Sequence, residues 1–119
     1  MNFRKIAIQK GSKIQYSSSE LLFLAKSGQP YRGTLYINFT STGEGFDMRD
    51  FKSYLTSLRS MSFNAEDIGY EIYTKISESV AVQSLGVTVD LTARGGIQQR
   101  ISFGTDFEVV PKPNMFQVG

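Results

Sequence analysis

Residues 34–40 read TLYINFT, and their alternation decides the fold. Successive side chains of a strand point to opposite sides, so Leu35, Ile37 and Phe39 form one apolar face while Thr34, Tyr36 and Asn38 form the other. Upstream, ELLFLAK (residues 20–26) is a shorter and more continuous apolar run, joined to this strand through SGQP, Ser27 to Pro30. Glycine and proline so placed make a turn, and the two runs become an antiparallel pair, with Pro30 and Gly33 able to widen the connection beyond a simple hairpin. The serines Ser17 to Ser19, with no histidine to activate them, are expected on a surface loop.

Downstream the period changes. Met48, Phe51, Leu55 and Leu58 recur at intervals of three and four, Asp47 stands at the N-cap position and Asp50 follows three residues on, so one helix buries a single stripe. A second helix starts after Ser62-Phe63: Asn64 is its candidate cap, Glu66 and Asp67 suit the positive end of its dipole, and Ile68, Ile72, Ile76 and Val80 step by four. Gly69 weakens this helix, which predicts a close helix contact there. Period two then returns with Val87, Val89 and Leu91. It breaks at Ala93 to Gly96 and resumes through Ile97, Ile101 and Phe103. Residues 1–13 read as a lead-in, and residues 104–119 as a tail whose Phe107, Val109, Val110, Met115 and Phe116 are apolar enough to pack on a neighbour.

The order strand, strand, helix, helix, strand, strand predicts an α+β fold. One domain over residues 1–119 would hold a four-stranded antiparallel sheet with both helices on one face, leaving open edges that invite self-association. A chain of 119 residues buries roughly two-thirds of its unfolded surface, enough for one core. Lys and Arg number 13 against 11 Asp and Glu, a net charge of +2 that makes no electrostatic case for a nucleic-acid partner. Cysteine and histidine are absent, which excludes disulfides, thiolate nucleophiles and zinc-cysteine sites and removes the commonest metal ligand, so no metal site is expected. No run approaches the ~18 apolar residues of a membrane span, and MNFRKIAIQKGSK has no signal-peptide pattern, so the expected setting is soluble and cytoplasmic, with no membrane partner.

Three blocks carry a resemblance to a known family: GQP at Gly28 to Pro30, the helix segment from Asp47 through FKSYLTSLR with Glu66 and Asp67 beyond, and ARGGI at Ala93 to Ile97. Together they cover roughly residues 20 to 103, and the spacing from GQP to Glu66 needs no gap. The chain resembles the tunnelling fold, small ββααββ units that assemble into rings, and within it the 7-cyano-7-deazaguanine reductases, the nitrile reductases of queuosine biosynthesis. That family uses a cysteine four residues before the glycine of GQP, an aspartate after GQP and a histidine before a base-anchoring glutamate. Here these positions hold Leu24, Tyr31 and Ala65. A leucine cannot form a thioimide, so covalent nitrile reduction is excluded.

The resemblance nevertheless implies a retained grip. Glu66 occupies the position of the carboxylate that accepts hydrogen bonds from the guanine-like edge of the substrate, and Asp47 that of a second substrate-binding acid, with Met48 in place of its serine neighbour. A homo-oligomeric ring with sites between subunits is implied, binding a 7-deazaguanine or related purine-like ligand. Lys26 and Tyr31 are the candidate acids for a different reaction on the 7-substituent, such as decarboxylation. Arg94 matches a segment near the dinucleotide phosphates, but one arginine beside two glycines is no phosphate loop, and retention of NADPH is not expected. The competing expectation is a non-catalytic assembly protein, in which Glu66 serves only its helix and Asp47 only caps.

Overall fold

The alternation of residues 34–40 is built into the third strand of a computed structural model, which describes residues 2–92 and 97–109. The strands are β1 (Lys5–Ala7), β2 (Lys13–Leu24), β3 (Pro30–Ser41), β4 (Glu44–Phe46), β5 (Val82–Thr92) and β6 (Gln98–Gly104), and the helices α1 (Met48–Ser57) and α2 (Ile68–Ser79) lie between β4 and β5. The main sheet has the order β2-β3-β5-β6, antiparallel throughout, and the fold is α+β as the periodicities predict. Leu35, Ile37 and Phe39 from β3 and Val87, Val89 and Leu91 from β5 are buried with Phe51, Leu55, Ile68, Ile72 and Ile76 from the helices. The other sheet face carries Thr34, Tyr36 and Asn38 beside Thr88, Asp90 and Thr92, and Asp90 forms a two-pronged ion pair with Arg100 directly opposite on β6.

Ser17 to Ser19 lie within β2 rather than on a loop. The register shifts between Ser18 and Leu21, where Ser19 and Glu20 oppose the single residue Thr34, and the Ser18 hydroxyl accepts from the Glu20 amide at 3.2 Å. A strand has period two, so this extra residue resets which side chains face the core. Tyr16 and Ser18 point inward before the bulge and Leu21 and Phe23 after it, which is why a continuous apolar run can still be a strand with one buried face. The turn to β3 closes through Gly28 N–H to the Ala25 carbonyl at 2.9 Å and Ala25 N–H to the Gln29 carbonyl at 2.7 Å, with Gly28 at φ 91°. Gly33 widens nothing: it lies in the strand, where β5 passes so close that a side chain would strike the Asp90 carbonyl.

The lead-in is more structured than its sequence predicts. β1 pairs with β4 in a second, two-stranded sheet, and Phe3 is buried among Phe46, Phe51 and Tyr54, with ring centroids 5.5 to 5.6 Å away. The Tyr54 hydroxyl has no hydrogen-bond partner among the described residues, and burial, helped by Glu71, pushes its pKa upward. Asn64 does not cap the second helix with its side chain; its amide donates instead to Asp67 at 3.2 Å. Gly69 meets β6 rather than a helix, with Phe103 at ordinary contact distance. The start of the tail packs on its own chain, Phe107 against Gly86 with Thr105 N–H donating to the Leu85 carbonyl. Val110, Met115 and Phe116 lie outside the described residues. No helix among the described residues is long and apolar enough to cross a membrane.

Candidate functional site

The end of β2 gathers the positions that the sequence singled out. Leu24 N–H donates to the Met61 carbonyl at 2.9 Å and the Leu24 carbonyl accepts from Phe63 N–H at 2.8 Å, a parallel bridge between Leu24 and Ser62. This bridge draws the segment before α2 against the mouth of the β2-β3 turn. Leu24, Tyr31 and Ala65 therefore share one corner of the molecule, although they are far apart in sequence. The Tyr31 ring stacks on Phe23 at 5.2 Å, and Phe63 meets Phe23 edge-on at 6.0 Å, so the corner has an aromatic floor.

Glu66 sits on the 3-10 turn Ala65–Asp67 beside this corner, exposed, while its neighbour Ala65 is buried. Lys26 is exposed on the turn itself, four residues before Pro30, and Arg32 is exposed on β3. Of the two candidate acids, only Tyr31 is fixed by packing. Arg94 lies outside the described residues.

Asp47 is elsewhere. Its Oδ1 accepts from the amides of Arg49 at 2.8 Å and Asp50 at 3.2 Å, the capping role that its place before α1 predicts. Arg4 stands 4.0 Å from the same oxygen and clamps Asp50, with its backbone N–H, Nε and Nη2 all donating to that carboxylate. Those bonds hold the Asp50 carboxyl at about 2, well below its ordinary value. α1 and the 3-10 turn Leu58–Ser60 carry the chain on the order of 20 Å from Asp47 to the Leu24 corner, at the usual rise of a helix. Asp47 and Glu66 of one chain are thus separated by the length of α1.

Glu66 lines neither of two clefts found among the described residues. One, of about 350 Å³, opens between β2 and α1; its floor is Tyr16, Leu35, Ile37, Met48, Phe51 and Leu55, and Lys52, Arg59 and Glu20 stand at its rim. The other, about 380 Å³, is polar and lies on the open sheet face around Thr34, Asp90, Thr92, Gln98 and Arg100. Sequence reasoning missed the first because its two walls belong to elements well separated in the chain, whose local patterns show only their buried faces. The signal present was the bulge-forming SSSE stretch, where a strand edge turns aside. No cluster of metal-ligating side chains occurs among the described residues.

No family model matches the chain. It is similar to the NADPH-dependent 7-cyano-7-deazaguanine reductase of Sulfurimonas denitrificans, 25% identical over 72 residues, which are 60% of this chain and 58% of that protein. It is also similar to the enzyme of the same name from Frankia casuarinae, 32% identical over 71 residues, 60% of this chain and 57% of that protein. The match spans a little under three-fifths of these curated relatives and supports a distant relationship to the 7-cyano-7-deazaguanine reductases.

Proposed function

We propose that this protein binds a 7-deazaguanine or a related purine-like ligand between two copies of the chain, with Glu66 as the carboxylate that takes the ring N–H groups. One observation carries the reading: the Leu24–Ser62 bridge brings an exposed carboxylate to the same corner as the positions that hold reactive groups in the reductases. A carboxylate facing two ring donors makes a charge-assisted two-point contact, which fixes a purine's orientation. Tyr31 and Phe63 supply flat apolar surface beside it. Asp47 of the second copy would bring a further acceptor.

The chemistry is not thioimide formation, since Leu24 has no nucleophilic atom. Decarboxylation of a 7-carboxylate suits the remaining groups: the ring carbon takes a proton from Tyr31 or Lys26, its bond to the carboxylate breaks, CO₂ leaves, and the electron pair restores the ring. Neither a covalent intermediate nor NADPH enters this step.

Calorimetric titration with 7-cyano- and 7-carboxy-7-deazaguanine, guanine serving as reference, tests the binding claim. The expected result is saturable binding that weakens about 10- to 100-fold in Glu66→Gln, the loss typical of a hydrogen bond to a charged group. Heat-free titrations, or equal affinity in the variant, refute it. The second reading, a scaffold without a ligand, is favoured by the Tyr31 ring, which is held against Phe23 by stacking. It predicts the heat-free outcome.

A further inference from the structure

The SSSE stretch, residues 17–20, has no part in the Leu24 corner. Its bulge lies in one wall of the cleft of about 350 Å³ between β2 and α1. Tyr16 pairs with Ile37 and Ser18 with Leu35, so the floor is two neighbouring rows of inward side chains, completed by Phe51 and Leu55 from α1. The cleft is long and narrow. Its helical wall runs from Met48 to Arg59, about 16 Å at the rise of a helix, and its strand wall from Tyr16 to Glu20, about 13 Å. The volume spread along that length leaves a slot about 5 Å across, the width of one unbranched chain.

The two ends of the slot differ. The parallel Leu24–Ser62 bridge ties together the strand and the helix segment where both walls finish, so Tyr16 and Met48 lie at one end and Ser18, Glu20 and Arg59 at the other. The first end is apolar, with the Tyr16 ring against Phe46 at 5.6 Å. At the second end the Ser18 hydroxyl accepts from the Glu20 amide at 3.2 Å, which leaves its own proton to donate. Lys52 and Arg59 stand exposed on the rim and make no ion pair among the described residues. One acid, Glu20, faces these two cations, so the rim keeps an excess of positive charge.

We propose that the β2–α1 cleft binds an unbranched aliphatic carboxylate, its chain lying over Leu55, Ile37 and Phe51 toward Met48 and its head group held by Arg59, Lys52 and the Ser18 hydroxyl. An arginine takes both oxygens of a carboxylate at once, and the chain contributes through the apolar area it removes from water. The occupant is a monoanion because the rim offers a single surplus cation. This site is separate from that of the purine-like ligand, since Glu66 lines no part of the cleft.

Calorimetric titration of the full chain with hexanoate, octanoate and decanoate, each below its micelle-forming concentration, tests the proposal. Saturable binding is expected, tightening about 4-fold for each added methylene until the slot is full. Octan-1-ol should bind about 10-fold more weakly than octanoate, and octylamine more weakly still, because the charge-assisted contacts are first lost and then opposed. The double variant Lys52→Gln/Arg59→Gln should lose about 10-fold in affinity for octanoate and keep that of the wild type for octan-1-ol. In methyl NMR spectra octanoate should shift Leu35, Ile37, Met48 and Leu55. Titrations without saturable binding, equal affinity for the three head groups, an unaffected double variant, or shifts centred outside the cleft overturn the proposal. The head-group and methyl comparisons use the wild type, so they decide the matter even if the variant fails to fold.

Discussion

The two helices lie on the same sheet face and are packed differently. α2 buries Ile68, Ile72 and Ile76 completely, over β5 and β6. α1 buries only Phe51 and Leu55, keeps Leu55 at 8% exposure, and leaves an apolar cleft between itself and β2. A layer can therefore be closed on one side and left incomplete on the other, and the incomplete side is where this molecule has room for something from outside itself. Apolar packing secures α2, whereas α1 is secured in part by charge at its first turn, through the Asp47 cap and the Arg4–Asp50 clamp.

Truncating each helix's central anchor gives the largest contrast. Ile72→Ala leaves a closed cavity among fully buried neighbours and is expected to cost about 4 kcal/mol, near the upper part of the range for such changes. Leu55→Ala enlarges a space already open to solvent and is expected to cost about 2 kcal/mol, the lower end of that range. Denaturant midpoints at constant slope measure both. Equal costs would erase the distinction between the closed and the open half.

Acid should act on the α1 half next. The folded Asp50 carboxyl titrates at about 2, against 3.8 as its ordinary value, chiefly because the Arg4 side chain donates to it, with the Arg4 backbone amide second and burial opposing. A carboxyl with a depressed folded value contributes its stability above the unfolded value, and that contribution disappears as pH falls through the folded one. The stability gap between the wild type and Asp50→Asn should hence be constant above about pH 5 and close between about pH 4 and about pH 2. A gap that persists at pH 2 would mean that the clamp acts by shape rather than charge.

The contrast between the halves also marks what could be read from the sequence. β3, β5 and α2 announce themselves because each is long enough to repeat its period, and the Asp47 cap needs only local chemistry. β1 and β4 have three residues each, too few to show a period, and Phe3 finds its aromatic neighbours only through the fold. In β2 the bulge hides the parity, so Ser17 to Ser19 read as a loop and the strand reads as starting at Glu20. Glu66 shows locally only a first-turn acid. Its place beside Leu24 depends on a bridge between residues 38 apart, which no local pattern encodes. The cleft between β2 and α1 is likewise invisible locally, because it is a product of register.

The smallest expected effect sharpens the comparison from the closed side. Gly69 is the second residue of α2 and is buried, and the sequence alone predicts a close helix contact there. A methyl group there would lie 3.7 Å from the Phe103 Cβ, an ordinary van der Waals contact. Gly69→Ala therefore removes unfolded-state freedom without a clash, and it should stabilise by about 0.5 kcal/mol, the low end for a helix glycine because the first turn is only partly ordered by helix bonds. Thermal unfolding would register this as a small rise in Tm. A fall instead would show that α2 and β6 are spaced more tightly than 3.7 Å allows. Phe103 is also the ring that Tyr70 and Tyr73 meet edge-on from either side, at 5.0 and 4.9 Å.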